Sequence, residues 1–329
     1  LWTALLLVLA YEGARGLARA LSSSSTAAVL AGLSYALAPR LFGAVGVLTG
    51  ELLPATFLPW MCWPLVAGLR GRLPPVTAGL LSGVAVLCMS GVNATGTIAV
   101  LPAALVLLAS GLRHRTGRLL AVWWAVGCLA ASLWWLGPLL LLGRYSPPFL
   151  DYIETAAATT STTAWANSVR GADHWVAYYS VDGQPWWPAA HTLVTTGPLV
   201  VFAGVVAALG CYGLTRRDMP AGRLLGAIAL VGLLCLVAGS AARAGSLVDP
   251  FVRELLDGPL APLRNVHKVD PLVRLPLALG VGHGAVSLAA AFRRRFDSRP
   301  DVAGPGARGI VVLAATFVLV GASPAVGAG

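Results

Sequence analysis

Charge is what this chain has least of. Only 11% of its 329 residues are charged, with 13 acids against 23 lysines and arginines. A soluble domain carries about 25% charged residues, so the composition excludes an ordinary soluble fold. Lysine is almost missing: Lys268 is the only one. Cysteine is sparse as well. Cys62, Cys88, Cys128, Cys211 and Cys235 all lie in apolar runs, their number is odd, and no C-x-x-C occurs. That pattern excludes a disulfide framework or a cysteine metal site and leaves small buried hydrophobes. No G-x-x-x-x-G-K-[ST] and no H-E-x-x-H are present, and G-x-G-x-x-G does not occur as a strand-to-helix turn. ATP hydrolysis and zinc peptidase chemistry are therefore without support. The histidines (His114, His174, His191, His267, His283) are scattered without metal-ligand spacing. The start lacks the basic, apolar and cleavage order of a signal peptide. Leu1 opens in mid-run and the end is apolar and Gly-rich, so the sequence reads as a fragment truncated at both ends.

Apolar sequence is what is present. Hydrophobic residues make up 57% of the chain, and the mean hydropathy is +0.78. About ten apolar segments follow one another, at roughly 1–14, 26–38, 53–69, 76–92, 97–112, 119–142, 194–214, 224–241, 271–291 and 309–325. Several fall short of the roughly 20 residues that span a bilayer. Unpaired backbone cannot sit in lipid, and no long alternating pattern suggests a barrel, so the segments are expected to be helices. The fold class expected is an all-α polytopic membrane protein of about ten transmembrane helices in a single domain over 1–329. The connections alternate in charge. One set holds fifteen basic residues and four acids, among them Arg70, Arg72, Arg216, Arg217 and the run Arg293, Arg294, Arg295. The other set holds eight basic residues and nine acids. The positive-inside rule places the first set in the cytoplasm. The net charge of +10 is thus topological, with attraction to anionic membrane lipids as a secondary effect. No nucleic acid partner is expected. The basic face could recruit an acidic cytoplasmic protein.

Two connections on the outer side are long, about 143–193 and 242–270. Loops of that length are commonly functional. The first is rich in Trp and Tyr, against disorder. Its stretch FLDYIETAAATT follows Pro147-Pro148 and is expected to form a short amphipathic helix, with Asp151 and Glu154 on one face. Tyr145, Tyr152 and Trp175 have two readings, an interfacial aromatic belt and stacking against the C–H faces of sugar rings. Asn93, in a tight turn, is expected to bond backbone at a helix end and not to carry a glycan. Glu51 stands before an apolar run, where an acid suits a helix N-terminus.

The densest polar stretch is APLRNVHKVDPLVRLPL at 261–277. Arg264 offers a planar fork suited to phosphate and Lys268 a point charge. Asn265 and His267 add hydrogen bonds. They precede the 271–291 segment, at headgroup level. An isolated arginine there would be read as snorkelling to lipid. A cluster on the side without basic excess favours a substrate role.

YALAPRLFGAVGVLTGELLP at 35–54, SGVNATGTIAVLP at 90–102, YSPPFLDYIE at 145–154 and LRNVHKVDPLVRLPLALG at 263–280 together resemble the membrane domain of actinobacterial alpha-(1→3)-arabinofuranosyltransferases of the GT-C superfamily. The resemblance runs along nearly the whole chain. It implies a multi-pass plasma-membrane glycosyltransferase with an outer active face. Its donor would be decaprenylphosphoryl-arabinose and its acceptor a growing arabinan chain of arabinogalactan or lipoarabinomannan. GT-C enzymes generally carry a catalytic acid in the first outer loop, which the likeness places N-terminal to this fragment. The catalytic base is thus unassigned here, and Glu51, Asp151 and Glu154 are supporting candidates. Arg144, Arg264, Asn265, His267 and Lys268 are the candidates for the donor phosphate. No cofactor is obligatory. GT-C enzymes admit a divalent metal, but no ligand spacing supports one. A flippase for a lipid-linked sugar and a non-catalytic binding scaffold are the rival readings. A flippase would want polar residues near mid-membrane and related repeats; neither is evident.

Overall fold

The computed structural model describes residues 1–44, 49–143, 145, 147, 152–242 and 246–322. Among the described residues each of the ten apolar segments is mainly helical. The first six correspond to Trp2–Ala20 (α1), Ser25–Ala36 (α2), Thr49–Leu69 (α4), Pro75–Met89 (α5), the pair Ala94–Val100 (α6) and Pro102–Gly111 (α7), and Arg115–Leu142 (α8), with the short Pro39–Phe42 (α3) between α2 and α4. The first long loop holds Ala156–Thr159 (α9), Trp165–Arg170 (α10) and Pro188–Thr195 (α11), and then Gly197–Thr215 (α12) and Gly222–Val237 (α13) follow. Asp249–Asp257 (α14) lies in the second loop, before Pro271–Arg295 (α15) and Pro300–Ala322 (α16). Among the described residues six helical stretches are long and apolar enough to cross a membrane: Gly50–Leu69, Ala94–Gly111, Arg115–Leu142, Gly197–Thr215, Val266–Arg295 and Pro300–Ala322. Ser25–Ala36, Pro75–Met89 and Gly222–Val237 are apolar but shorter. α1 has 19 residues and carries Glu12, Arg15 and Arg19. The chain is an all-α polytopic membrane protein.

Helix α15 is the axis of the bundle and packs against α2, α12, α13 and α16. Glycine makes the approach close: a Cβ on Gly213 would strike the Gly280 carbonyl oxygen, and one on Gly280 the Gly210 carbonyl oxygen. In lipid, where helices gain little by hiding apolar surface, such small-residue contacts carry the association. Gly79 and Gly83 of α5 meet α8 in the same way, at the backbone of Trp123–Trp124 and of Gly127. α4 contains Pro54, Pro59 and Pro64. Proline at 59 has no N–H for the Ala55 carbonyl one turn back. The Tyr35 hydroxyl donates to that carbonyl instead, at 2.6 Å, which keeps the freed group satisfied inside the bundle.

At the basic end, Arg70 and Arg72 donate to the Ala20 carbonyl at 2.6 and 3.1 Å. The α1–α2 and α4–α5 turns therefore meet, as the arginine alternation requires. At the opposite end the two long loops interlock into one layer. Asp257 accepts from the Ala156 amide at 2.7 Å, and Arg253 donates to the Gly239 carbonyl at 2.9 Å and to Thr160 Oγ1 at 3.1 Å. A small hairpin, Ser180–Val181 against Gln184–Pro185, turns at Asp182-Gly183, both in the left-handed region.

Among the described residues of FLDYIETAAATT, the α-helix is a single turn, α9, started by Thr155, whose Oγ1 accepts from the Ala158 amide at 3.4 Å. Glu154 precedes it in irregular backbone. The side chain of Arg264 explains this, because it donates to the Glu154 carbonyl and so holds a group that a helix would have used. Asp151 lies outside the described residues, as does Arg144.

Candidate active site

The layer closes over one end of the bundle, and there Glu51 gathers the buried polar groups. It sits in the first turn of α4. Arg40, positioned by Pro39 at the start of α3, reaches it with Nη2 at 2.9 Å from Oε2. Both partners are almost fully buried, so the pair acts in a low-dielectric setting, where removing one member strands the other. Two imidazoles complete the surround. His174 Nε2 lies 3.5 Å from Oε2 and His267 Nε2 lies 3.5 Å from Oε1. The two rings stack at 3.9 Å, and Trp187 covers His174 at 4.7 Å. Burial, followed by the charges of His267 and Arg40, holds His174 well below the ordinary imidazole range, so it is neutral.

A small crevice beside this group is lined by Arg40, Glu51, Asn93, Lys268 and Pro271. Lys268 Nζ donates to Thr95 Oγ1 at 2.8 Å, and that hydroxyl donates to Asn93 Oδ1 at 3.1 Å. Asn93 Oδ1 also accepts from the Gly96 amide at 3.0 Å and caps α6. This is the helix-end role expected of it. Lys268 is thus pinned with donors to spare, facing Glu51 and Arg40 across the crevice.

Behind the crevice lies a second polar layer. Asp270 and Asp173 are fully buried. Arg274 donates to Asp270 Oδ1 at 2.9 Å and to the Ser168 carbonyl, tying α15 to α10. Both Asp173 side-chain oxygens lack a hydrogen-bond partner among the described residues. Burial, then the neighbouring charge of Asp270, pushes the Asp173 carboxyl up to about 8, against the pull of Arg274 and Arg40. It holds its proton at neutral pH.

The residues singled out from sequence divide. Glu51, His267 and Lys268 converge. Asn265 bridges, its amide nitrogen donating to Glu154 Oε1 and its oxygen accepting from Trp175 Nε1 at 3.1 Å. Glu154 and Trp175 thereby join the wall of the loop layer. Arg264 is buried and turned away from the crevice. It donates to the Glu154 and Leu256 carbonyls and lies 3.4 Å from Asp257. Its fork braces the two loops. Tyr145 and Tyr152 are exposed at 85% and 84%, apart from the cluster. Arg40, His174 and Asp173 are the members that sequence reasoning missed, while Asp270 and Arg274 lay in the polar stretch at 261–277 without an assigned role. The signal available was weak: a proline–arginine pair before a helix, and adjacent Asp and His inside an aromatic loop.

A family model described as alpha-(1->3)-arabinofuranosyltransferase, N-terminal GT-C domain, matches residues 1–328. An alpha-(1->3)-arabinofuranosyltransferase of Mycolicibacterium smegmatis is 38% identical over 288 residues, covering 86% of this chain and 20% of that protein. One of Mycobacterium tuberculosis is 36% identical over 287 residues, covering 85% and 20%. The cryo-EM structure of arabinofuranosyltransferase AftD from mycobacteria superposes with a TM-score of 0.68 at 30% identity, over 96% of this chain and 20% of that one. The chain therefore spans about a fifth of the length of these relatives.

Proposed function

The chain belongs to the family of the N-terminal GT-C domain of alpha-(1->3)-arabinofuranosyltransferase, and from that premise we propose that it forms the membrane domain in which arabinofuranose passes from decaprenylphosphoryl-arabinose to a growing arabinan chain of the cell wall. The crevice end then faces outward from the plasma membrane and the arginine-rich end faces the cytoplasm. The observation that carries this reading is the pairing, in one crevice, of a buried carboxylate with a fixed ammonium: Glu51 and Lys268.

The reaction needs two things from the protein. The acceptor hydroxyl must lose its proton as its oxygen bonds the anomeric carbon, and the bond from that carbon to the phosphate oxygen must break. A carboxylate near the hydroxyl serves the first. Positive charge near the departing phosphate serves the second. Glu51 receives and orients the acceptor hydroxyl. Lys268, with Arg40 behind it, stabilises the phosphate. A catalytic acid from outside this fragment, which the resemblance implies, completes the acid–base set. Trp175, fixed by its bond to Asn265, offers a sugar-stacking face. The arginines of the opposite end suit anionic lipid and an acidic protein.

The test is a transfer assay with membranes containing the full-length parent, decaprenylphosphoryl-arabinose and a short arabinan acceptor. Lys268→Ala and Glu51→Gln should each lower product formation by about 100-fold, the size of one lost transition-state contact, with folded protein levels unchanged. Undiminished turnover in both variants would overturn the reading. Intact transfer with lost donor translocation would favour a flippase.

A further inference from the structure

Glu51, His174 and His267 form the one group among the described residues that resembles a metal site, their ligand atoms all lying within 4.8 Å of one another. Two imidazoles and a carboxylate are an ordinary set for zinc or another divalent ion. GT-C enzymes admit such an ion.

The donor set does not fit. His174 Nδ1 accepts a hydrogen bond from the Val176 amide at 3.2 Å, as the cap of the 3₁₀ turn over Trp175–Tyr178. A neutral imidazole has one N–H and one lone pair. Since Nδ1 spends its lone pair on the backbone, the proton sits on Nε2, the atom aimed at Glu51. Coordination through Nε2 would move that proton to Nδ1, facing a backbone N–H. Metal-bound histidines also place their other ring nitrogen on a carboxylate, carbonyl or water. His267 Nδ1 has no hydrogen-bond partner among the described residues. The electrostatics point the same way. Arg40 already lies 2.9 Å from Glu51, and Lys268 lines the same crevice. A divalent ion would enter beside two fixed cations.

We infer that the Glu51 centre works without a metal ion, with Arg40 in the cation's place and His174 as a positioning residue whose Nε2–H faces the carboxylate at 3.5 Å, short of a formed hydrogen bond in this structure. Arg40 and His174 lie against Oε2 and His267 against Oε1, while Glu51 also lines the crevice, where a hydroxyl would meet it. The inference rests on the proposed role of Glu51. Its metal content, however, can be measured whether or not transfer is observed.

The experiment uses the purified full-length protein. Metal content is measured by plasma mass spectrometry after dialysis against a chelator, beside a His267→Gln variant. Transfer is assayed before and after chelation and after addition of Mg²⁺, Mn²⁺ or Zn²⁺. No metal difference between the two proteins is expected, and less than about a twofold change in rate, far below the several kcal/mol a catalytic ion supplies. His174→Leu should lower kcat by about 100-fold with KM little changed, as for a lost transition-state contact. His174→Gln, whose amide reaches the place of Nε2–H, should recover most of that loss. A stoichiometric metal present in the wild type and lost in His267→Gln would overturn the inference. So would transfer abolished by chelation and restored by one ion. If His174→Gln proved no better than His174→Leu, with both folded, the positioning role would fall. A wild type free of metal and inactive with this donor would sink the proposed reaction but not the reading of the donor set.

Discussion

Helices α8 and α15 look alike as sequence and live in different surroundings. The membrane-spanning window of α8 has a mean hydropathy of 1.9 and is 11% buried; that of α15, taken with the turn before it, has 1.6 and is 67% buried. The more apolar helix is the one left outside. Leu129, Leu133, Leu140 and Leu141 of α8 are all more than half exposed, and its inner face rests mainly on α5. Lipid tails are as apolar as leucine, so greasiness gives no reason to go inside. α15 is central for other reasons: glycines that let four helices close on it, and charged residues at its start that find partners only in protein.

Substitutions at matched glycines break this comparison most sharply. Gly280→Leu in α15 drives a side chain into the α12 backbone; it should abolish monodisperse folded protein in detergent, read by size-exclusion profile. A Cβ on Gly137 in α8 meets nothing within 4 Å, and Gly137→Leu should leave the profile unchanged. A loss of folded protein in the α8 variant would mean that this helix has a partner.

Next in size is the ion pair at the start of α15. Arg274→Met leaves Asp270 charged and buried. It should cost roughly 3–5 kcal/mol, the usual penalty for halving a buried pair, seen as a lower unfolding temperature. Arg274→Met with Asp270→Asn should recover part of it.

The third effect is on pH. The folded chain keeps the Asp173 proton up to about 8, whereas the unfolded chain releases it near the ordinary carboxyl value. The stability this group confers is therefore complete below about pH 4 and is lost as pH rises through about 8. His174 acts in the opposite direction. It stays neutral in the fold, and the unfolded chain takes up a proton near pH 6.5, so stability falls as pH drops below that value. Below about pH 6.5 the two effects oppose each other; between about pH 6.5 and 8 the fall due to Asp173 stands alone, and Asp173→Asn should flatten the unfolding temperature there. An unchanged slope in that window would reject the assignment.

The smallest effect belongs to α8. Leu133→Ala on its exposed face should shift stability by no more than about 0.5 kcal/mol, measured by the same melt. A larger loss would place α8 in contact with something beyond this chain.

Much of the fold is legible in the residues. Hydropathy finds the helical part of each apolar segment, though α1 runs six residues past its segment, α16 begins nine residues before its own, and 97–112 is divided between α6 and α7; the arginine alternation predicts which turns meet, as Arg70 on Ala20 illustrates. The site is legible only in part. Glu51, His267 and Lys268 stand out because charge is so rare that each charged residue needs a reason. Arg40 and His174 do not, since nothing local marks them. Arg264 misleads, because a guanidinium that braces backbone and one that grips phosphate look the same in sequence.

What the sequence determined by itself is the class: a multi-pass helical bundle with one basic end and its polar chemistry gathered at the other. Local hydropathy and charge suffice for that, because the bilayer acts on each segment separately. Only the tertiary structure decided the site. His267 and Glu51 are 216 positions apart, and a loop carries His174 between them. Which proton each imidazole holds depends on a backbone N–H and a carboxylate that meet only after the loops close over the bundle.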